Sequence, residues 1–367
     1  MKELRMSMKN KYIGILLIGI AMLLNACSSD DSGAPQTVST GNEPVGKVVQ
    51  LVSYASSFTE KELSHRAAAV PAGFSAFTPD KTTSMGIYML LSENPATDWA
   101  SPEEKKIIYT NMWHAYFDVQ PEKDYTVYGY MPKIGDMSSS LVKSPANADA
   151  ATLTITGIKP VTTDDICIIT GVKDTDEGLT EGQFSWSWPI PSSEEENYKI
   201  YILMDHLYAA AQFRLRISSD YALLRTIKLK TMTLSTVKGS VNAVISLTHN
   251  TTGASPVSSV AYTASGSNDA VVIFNSDEGF ALDKTTPLSI NACFVPTLSA
   301  NLTLTSTYDV YDSKGNLIRQ NCTATNKLPN LEANRGQRVQ VNMLVNPTYL
   351  YILSDPDLDN PTITIDN

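Results

Sequence analysis

Short stretches in which apolar and polar residues alternate dominate the second half of the chain. Phe213, Leu215 and Ile217, for example, alternate with polar side chains. Because successive side chains of a β-strand point to opposite faces of a sheet, this period of two predicts strands with one buried face. Further stripes of this kind occupy 227–229, 241–247, 302–310 and 339–345. Many short strands separated by turn signals predict an all-β fold built of β-sandwiches, with little helix.

The first half of the chain shows the same tendency in segments rich in aromatic residues. Strands are predicted there at 48–55, 85–91, 107–117, 125–131, 153–158 and 166–172. A short helix is predicted to begin at Ser101, because a proline and two acidic residues follow it. The run 201–211 is interpreted as partly strand. The pattern breaks at 186–196, which ends in three glutamates and places a domain boundary near Glu196.

The N-terminus has the features of a secretory signal. Basic residues precede an apolar run from Ile13 to Leu24, and a run of this length with these flanks is typical of a signal peptide. The run ends in Leu24-Asn25-Ala26-Cys27, which resembles a bacterial lipobox. Cys27 is therefore predicted to become a lipid-modified N-terminus. A plain signal peptide with an incidental cysteine is the alternative.

These features divide the 367 residues into four parts. Residues 1–26 are the lipoprotein signal peptide, and residues 27–46, with few apolar groups, are a flexible tether. Residues 47–196 are predicted to form an N-terminal β-sandwich domain. Residues 197–367 are predicted to form a C-terminal β-sandwich domain that ends in a strand-like tail. The length agrees with two domains.

Charge and residue spacing exclude several classes of function. The formal net charge is −10 without a basic tract, so nucleic acid is not an expected partner. Apart from Cys27, the chain has three cysteines, Cys167, Cys293 and Cys322. A disulfide between Cys293 and Cys322 is one alternative, but buried free thiols are favoured. Cysteines and histidines do not cluster with zinc-like spacing, so neither a metal nor another cofactor is expected.

Two groups of residues are candidates for a binding site. Three aspartates alternate between Asp355 and Asp359 as at the start of a calcium loop, but the required glycine and flanking helices are missing, which favours a polar turn. Trp113, Trp186 and Trp188 would stack on sugars, although core positions are favoured. No nucleophile-elbow pattern or Ser-His-Asp set occurs, so the protein is not expected to be an enzyme.

The end of the chain has more strand-like sequence than one sheet position requires. The stripe at 339–345 is predicted to end at Asn346-Pro347, yet Thr362-Ile363-Thr364-Ile365 follows. An isolated strand cannot satisfy its own backbone groups. The tail therefore needs a sheet edge, either in its own chain or in another molecule.

Several segments together carry a resemblance: the lipobox, a first strand followed by a lone arginine, and 85–89, 125–132, 153–158, 165–166, 170–172, 213–217 and 339–347. Together they resemble the fimbrillin family of Bacteroidetes type V pilins. The resemblance implies two tandem transthyretin-like β-sandwich domains. It also implies export as a lipoprotein to the outer membrane and cell surface, and a structural role in an adhesive pilus, or fimbria.

The same resemblance implies a mode of assembly. Proteolysis at Arg66 would remove the first strand, 48–55, and a strand from another subunit would fill the vacated position by strand addition. The tail would be the supplied strand, with Ile363 and Ile365 as anchors on one face. The partners would be pilus subunits of the same or a related type, and a ligand on a host or bacterial surface. His65 stands where this family usually has threonine before the arginine.

A second interpretation stays open. In it the protein is a monomeric surface lipoprotein that keeps its lipid and its first strand. It would bind a glycan or a host protein through its loops. The two interpretations differ in whether strands are exchanged between molecules.

Overall fold

Strands make up most of the chain that the structure describes. The computed structural model describes residues 46–56, 58–61, 74–76, 83–91, 101–143, 150–176, 185, 187–192, 197–248, 257–349 and 356–366. Within these residues the helical elements are α1 (Ser219–Ala222) and a 3-10 helix (Pro296–Asn301). No helix in this part of the chain is long and apolar enough to cross a membrane. The predicted all-β fold class is confirmed.

The strands are numbered in chain order. They are β1 (Lys47–Ser56), β2 (Thr59–Lys61), β3 (Phe74–Ala76), β4 (Ser84–Leu91), β5 (Lys105–Ile108), β6 (Trp113–Phe117), β7 (Asp124–Met131), β8 (Ser138–Lys143), β9 (Ala150–Ile158), β10 (Val161–Thr162), β11 (Cys167–Lys173), β12 (Ser187–Pro189), β13 (Asn197–His206), β14 (Ala209–Ile217), β15 (Arg225–Thr236), β16 (Ser240–Thr248), β17 (Val257–Ser265), β18 (Asp269–Ala281), β19 (Leu288–Phe294), β20 (Thr303–Asp312), β21 (Leu317–Lys327), β22 (Gln337–Tyr349) and β23 (Pro356–Asp366).

The described strands form four sheets. Sheet 1 has the order β3-β1-β13-β11-β7-β4-β5, with β6 paired to β1 and β12 paired to β7. Sheet 2 has the order β10-β19-β14-β22-β2, with β23 paired to β22. Sheets 3 and 4 have the orders β18-β15-β20-β21 and β17-β16-β9-β8.

Three apolar cores hold these sheets together. Sheets 2 and 3 contribute most side chains of the C-terminal core, and sheets 1 and 4 contribute most of the central core. The N-terminal core is made by side chains of sheet 1 and its connecting segments. In β4, Met85 and Ile87 belong to the N-terminal core, whereas Tyr88 and Leu90 belong to the central core. Sheet 1 is thus buried on both faces, as alternation along a strand requires.

The sheets do not follow the predicted boundary near Glu196. Strand β13 lies after that position, yet it pairs with β1 and β11 in sheet 1. After Leu207 and Tyr208 the chain continues into β14 of sheet 2, and β2 and β10, which precede the boundary, also belong to sheet 2. Sheet 4 joins β9 from one side of the boundary to β16 from the other. The division into two domains stays a prediction.

Three local predictions were wrong. Residues 102–104 have no regular secondary structure and are not helical, and the Glu104 carboxylate contacts Lys133 and Ser139. The run 107–117 is divided between β5 and β6. Strand β22 continues through Pro347 with a shift of register against β23. At 102–104, tertiary contacts of Glu104 outweigh the local helix signal. In β22, a bulge accommodates Pro347 within the strand.

Candidate functional site

The first and last strands contain the predicted site residues that can be located. Cys27 and Arg66 lie outside the described residues. The predicted displaced strand, 48–55, corresponds to β1. Ile363 and Ile365 lie in β23. The candidate site therefore consists of the position that β1 occupies and the strand β23.

Strand β1 is an interior strand of sheet 1. On one side it pairs in parallel with β13, from Val48 opposite Asn197 to Ala55 opposite Met204. On the other side it pairs antiparallel with β6 and β3. Parallel neighbours cannot be joined by a tight hairpin. The position of β1 therefore depends on contacts with strands that are distant in sequence.

The side chains of β1 alternate into the N-terminal core. Val49, Leu51 and Ala55 are buried there, with Leu51 only 2% exposed, and Ser53 between them is also buried. Burial of an aliphatic side chain of this size stabilises a fold by about 2 kcal/mol. Withdrawal of β1 would thus expose both an apolar slot and the backbone edge of β13.

Several polar atoms around β1 are buried without a hydrogen-bond partner. They are the Ser53 hydroxyl itself, the Trp113 indole nitrogen, His114 Nδ1 and the Tyr198 hydroxyl. Trp113, His114 and Tyr198 lie directly opposite residues of β1 in the ladders. A buried polar group without a partner costs about 1 to 3 kcal/mol. Strand β1 therefore fills the N-terminal core with apolar side chains, but buried polar groups next to it lack hydrogen-bond partners.

Strand β23 lies at the edge of sheet 2. It pairs antiparallel with β22, with Ile363 opposite Val345 and Ile365 opposite Met343. Ile363 is 3% exposed and Ile365 packs against the same C-terminal core. The two isoleucines therefore lie on one face, as expected for positions two apart. In the structure the tail occupies a sheet edge of its own chain.

Side chains from the C-terminal core hold the backbone of β23. The Tyr221 hydroxyl donates to the Leu358 carbonyl at 2.6 Å, and the Tyr308 hydroxyl donates to the Pro361 carbonyl at 3.0 Å. Asn326 donates to the carbonyl of Ile363 at 2.7 Å. Burial raises the pKa of Tyr308 to about 12, so its hydroxyl remains a donor at neutral pH. These bonds satisfy carbonyls that no further strand covers.

The aspartates of the calcium-like stretch serve the docking of β23. Asp359 Oδ1 accepts hydrogen bonds from Nε and Nη2 of Arg225, at 3.0 and 2.7 Å. Asp357 Oδ1 accepts the backbone N–H of Asp359 at 3.1 Å, while Asp355 lies outside the described residues. The Arg225 guanidinium therefore occupies the Asp359 carboxylate oxygen that a calcium ion would need as a ligand. The stretch is a strand rather than the predicted turn.

The segment after β1 reaches the same strand as the tail. Strand β2 pairs in parallel with β22 at 337–339, and β23 pairs with β22 from 342 onwards. The opposite edge of β22 is taken by β14. Glu60 of β2 also forms an ion pair with Arg338 of β22. Residues from both ends of the chain thus share one edge of one strand.

Other candidate residues belong to the cores. Trp113 and Trp188 are buried in the N-terminal core, which confirms their predicted packing role; Trp186 lies outside the described residues. Cys167, Cys293 and Cys322 are buried free thiols, as favoured from the sequence.

Sequence reasoning missed the tyrosines and the asparagine that hold β23. Their partners lie between 37 and 137 residues away along the chain. The one available signal was that a buried tyrosine hydroxyl requires an acceptor, and this signal does not name the acceptor.

The fold and these strands define an all-β protein whose first strand is inserted between strands distant in sequence and whose last strand lies at a sheet edge. Searches with protein-family models and against curated proteins give no match. Solved structures do match. A candidate cell adhesion protein from Bacteroides fragilis has a TM-score of 0.42 and 11% identity, over 87% of this chain and 97% of that chain.

Two further matches are fimbrial proteins. One, from Bacteroides vulgatus, has a TM-score of 0.33 and 12% identity, over 78% of this chain and 92% of that chain. The other, the fimbrial anchor protein Mfa2 from Porphyromonas gingivalis, has a TM-score of 0.26 and 10% identity, over 86% and 97%. TM-scores below 0.5 do not establish a common family. The function is therefore argued from the strands and contacts of this chain.

Proposed function

We propose that this chain is a structural subunit of a cell-surface pilus with a role in adhesion, and that it acts without catalysis. In this proposal it is exported as an outer-membrane lipoprotein through lipid-modified Cys27. Proteolysis at Arg66 then releases β1, and β23 of another subunit fills the vacated slot. The partners are pilus subunits of the same or a related type, and the adhesive ligand is on a host or bacterial surface.

The observation that carries this proposal is the position of β1 inside sheet 1. An interior strand with its ladder partners distant in sequence can leave after one cut, because β13 on one side of it stays paired with β11. Its departure opens an apolar slot and two backbone edges, which is the kind of surface that strand addition fills. The buried polar atoms beside β1 that lack a partner leave hydrogen-bonding groups in the slot for an incoming strand.

Strand β23 has the pattern that such a slot requires. Ile363 and Ile365 face the C-terminal core and Pro361, two residues earlier, is also buried, with the period of Val49 and Leu51 in β1. The two strands have similar lengths, 11 and 10 residues. Because β23 is an edge strand, its release breaks one ladder and leaves the layers of its own sandwich in place.

Digestion with an arginine-specific protease tests the proposal. Arg66 is the one arginine between Cys27 and Arg214, so cleavage there is readily identified by N-terminal sequencing. We expect cleaved protein to give a ladder on unheated denaturing gels and filaments by negative-stain microscopy. An Arg66→Gln variant should remain uncut and monomeric.

Variants of the tail separate cleavage from exchange. Ile363→Asp combined with Ile365→Asp should be cleaved normally but should not polymerise, because charges cannot enter the slot. Thr362→Asp combined with Thr364→Asp is the matched control and should still polymerise. Clean cleavage of the wild-type protein that yields a stable monomer would contradict strand exchange and would favour the monomeric binding lipoprotein.

A further inference from the structure

Three side chains with metal-ligand chemistry meet at the end of sheet 1. Cys167 and His206 lie directly opposite each other in the ladder of β11 and β13. Asp165 precedes Cys167 by two residues, and its carboxylate contacts the Cys167 thiol. Each of the three offers a ligand atom within 4.8 Å of the other two. Sequence spacing hid this group, because 39 residues separate Cys167 from His206.

The three ligand atoms converge on one point. His206 Nδ1 lies 2.6 Å from Asp165 Oδ2. Cys167 Sγ lies 3.3 Å from the same oxygen and 3.8 Å from the same nitrogen. Ligand atoms of a tetrahedral zinc ion lie roughly 3.3 to 3.6 Å apart. The observed triangle is close to this size, and the shortest side is the length of a hydrogen bond that a metal would replace.

This convergence distinguishes the group from a nucleophilic triad. In a triad the carboxylate and the nucleophile use opposite nitrogens of the imidazole, so that a proton can pass through the ring. Here Asp165 and Cys167 both approach Nδ1 of His206. The Cys167 side chain is also 0% exposed, which leaves no approach for a substrate. The arrangement is one of donors around a shared centre.

The surroundings favour a cation. Asp165 Oδ1 is buried and has no hydrogen-bond partner, so a further donor atom is available beside the first three. Asp205, next to His206, is paired with Arg335 at 2.6 Å, so the negative charge of the group comes from Asp165 and not from Asp205. The Phe58 ring stacks on the imidazole of His206, with ring centres 3.9 Å apart, and shields the site. A shielded site with thiol, imidazole and carboxylate donors is the type that zinc and related late transition ions occupy.

We propose that Asp165, Cys167 and His206 form a structural site for a divalent transition metal of the zinc type. The metal would link the start of β11 to the end of β13, the strand that pairs in parallel with β1. It would replace the proton between His206 and Asp165 and the proton of the Cys167 thiol. The proposal does not depend on pilus assembly.

Zinc and cobalt binding test the site in the whole protein after treatment with a chelator. We expect calorimetry to show about one zinc ion bound per chain and a higher melting temperature with zinc. Cobalt should give a sulfur-to-metal charge-transfer band, which requires a thiolate ligand. Absence of zinc binding, or cobalt binding without that band, would overturn the proposal.

Substitutions identify the ligands. Cys167→Ser and His206→Gln should each weaken zinc binding by more than about tenfold, since each removes one ligand. Cys322→Ser and His114→Gln make the same chemical changes elsewhere and should leave binding unchanged. Equal loss in site and control variants would contradict the assignment. If Cys167→Ser does not fold by circular dichroism, the cobalt spectrum of the wild-type protein still decides the question.

Discussion

The first and last strands of this protein are held in different ways. Strand β1 has ladder partners on both sides and buries alternate side chains in the N-terminal core. Strand β23 has one ladder partner, and side-chain donors such as Tyr221, Tyr308 and Asn326 satisfy its carbonyls. Apolar burial and ladders on both sides secure the first strand, whereas one ladder and directed hydrogen bonds secure the last.

This difference predicts how each strand can leave. Removal of β1 opens a core, so the uncut protein should keep it firmly. Release of β23 exposes Ile363 and an edge but leaves both layers of its sandwich in contact. Local opening of an edge element requires less free energy than global unfolding. The tail should therefore open within an otherwise folded molecule, and the first strand should open only with the sheet.

The largest expected effect concerns the core position of β1. Leu51→Ala should lower the free energy of unfolding by about 3 to 4 kcal/mol, because a fully buried leucine leaves a cavity that collapses only in part. Urea denaturation with a two-state midpoint would measure it. Gln50→Ala, whose side chain lies on the other face of the strand, should change stability by less than about 1 kcal/mol. Equal effects would mean that β1 is not seated in the core.

A smaller and more local effect is expected in β23. Ile363→Ala should cost about 2 kcal/mol, and hydrogen exchange should quicken for amides of β23 while those of β1 stay protected. The reason is that Ile363 lies at the edge of its core. Thr364→Ala, at an exposed position, is the control. Loss of protection in β1 as well would show that the two strands open as one unit.

Removal of one hydroxyl tests the directed bonds to the tail. Tyr308→Phe should destabilise β23 by about 1 kcal/mol, the net contribution of one hydrogen bond. Hydrogen exchange of β23 amides measures this. Tyr311→Phe on the same strand is the control. Unchanged exchange in Tyr308→Phe would mean that the ladder with β22 alone secures the tail.

The same tyrosine gives the tail a dependence on pH. Burial raises the pKa of Tyr308 from the ordinary 10.0 to about 12. The folded state thus favours the protonated phenol, and its contribution is complete below pH 10 and is lost as the pH rises through 12. Docking of β23 in the wild-type protein should weaken over that range. Because Tyr308→Phe lacks the group, the difference between the two proteins should disappear there.

The smallest effect is expected for the ion pair at the surface. Asp359 is 47% exposed, so its bond to Arg225 should contribute less than about 1 kcal/mol. A double-mutant cycle with Arg225→Gln and Asp359→Asn would give the coupling energy, which should fall as salt is added. A coupling above about 2 kcal/mol would assign the docking of the tail to this pair rather than to the tyrosine hydroxyls.

The positions of the strands could be read largely from the sequence. The stripe at 48–55 is β1 and the stripe at 213–217 lies in β14, because alternation of side chains is a local property. The segment 107–117 was read as one strand, since its apolar residues continue across a turn at Asn111, where φ is +134°. The pairing of β1 with β13 could not be read, because nothing in either strand specifies its neighbour.

The site illustrates the same limit. Ile363 and Ile365 were named as anchors because the family resemblance implies a donated tail and their spacing places them on one face, and both pack against a core. The hydroxyl of Tyr221 and the carbonyl of Leu358 are 137 residues apart, and no periodicity connects them. Cys167 and His206 looked isolated for the same reason. Their meeting depends on the register of β11 against β13.

The sequence by itself determined the class of this protein: all-β, with alternating strands, a strand-like tail and a signal-like N-terminus. These properties follow from side chains a few residues apart, since the period of a strand and the length of an apolar run are local quantities. Tertiary structure alone decided that β1 enters sheet 1 beside β13, that β2 and β23 share the edge of β22, and that Asp165, Cys167 and His206 meet. Partners and register are fixed only when distant strands bury a common core and complete one another's hydrogen bonds.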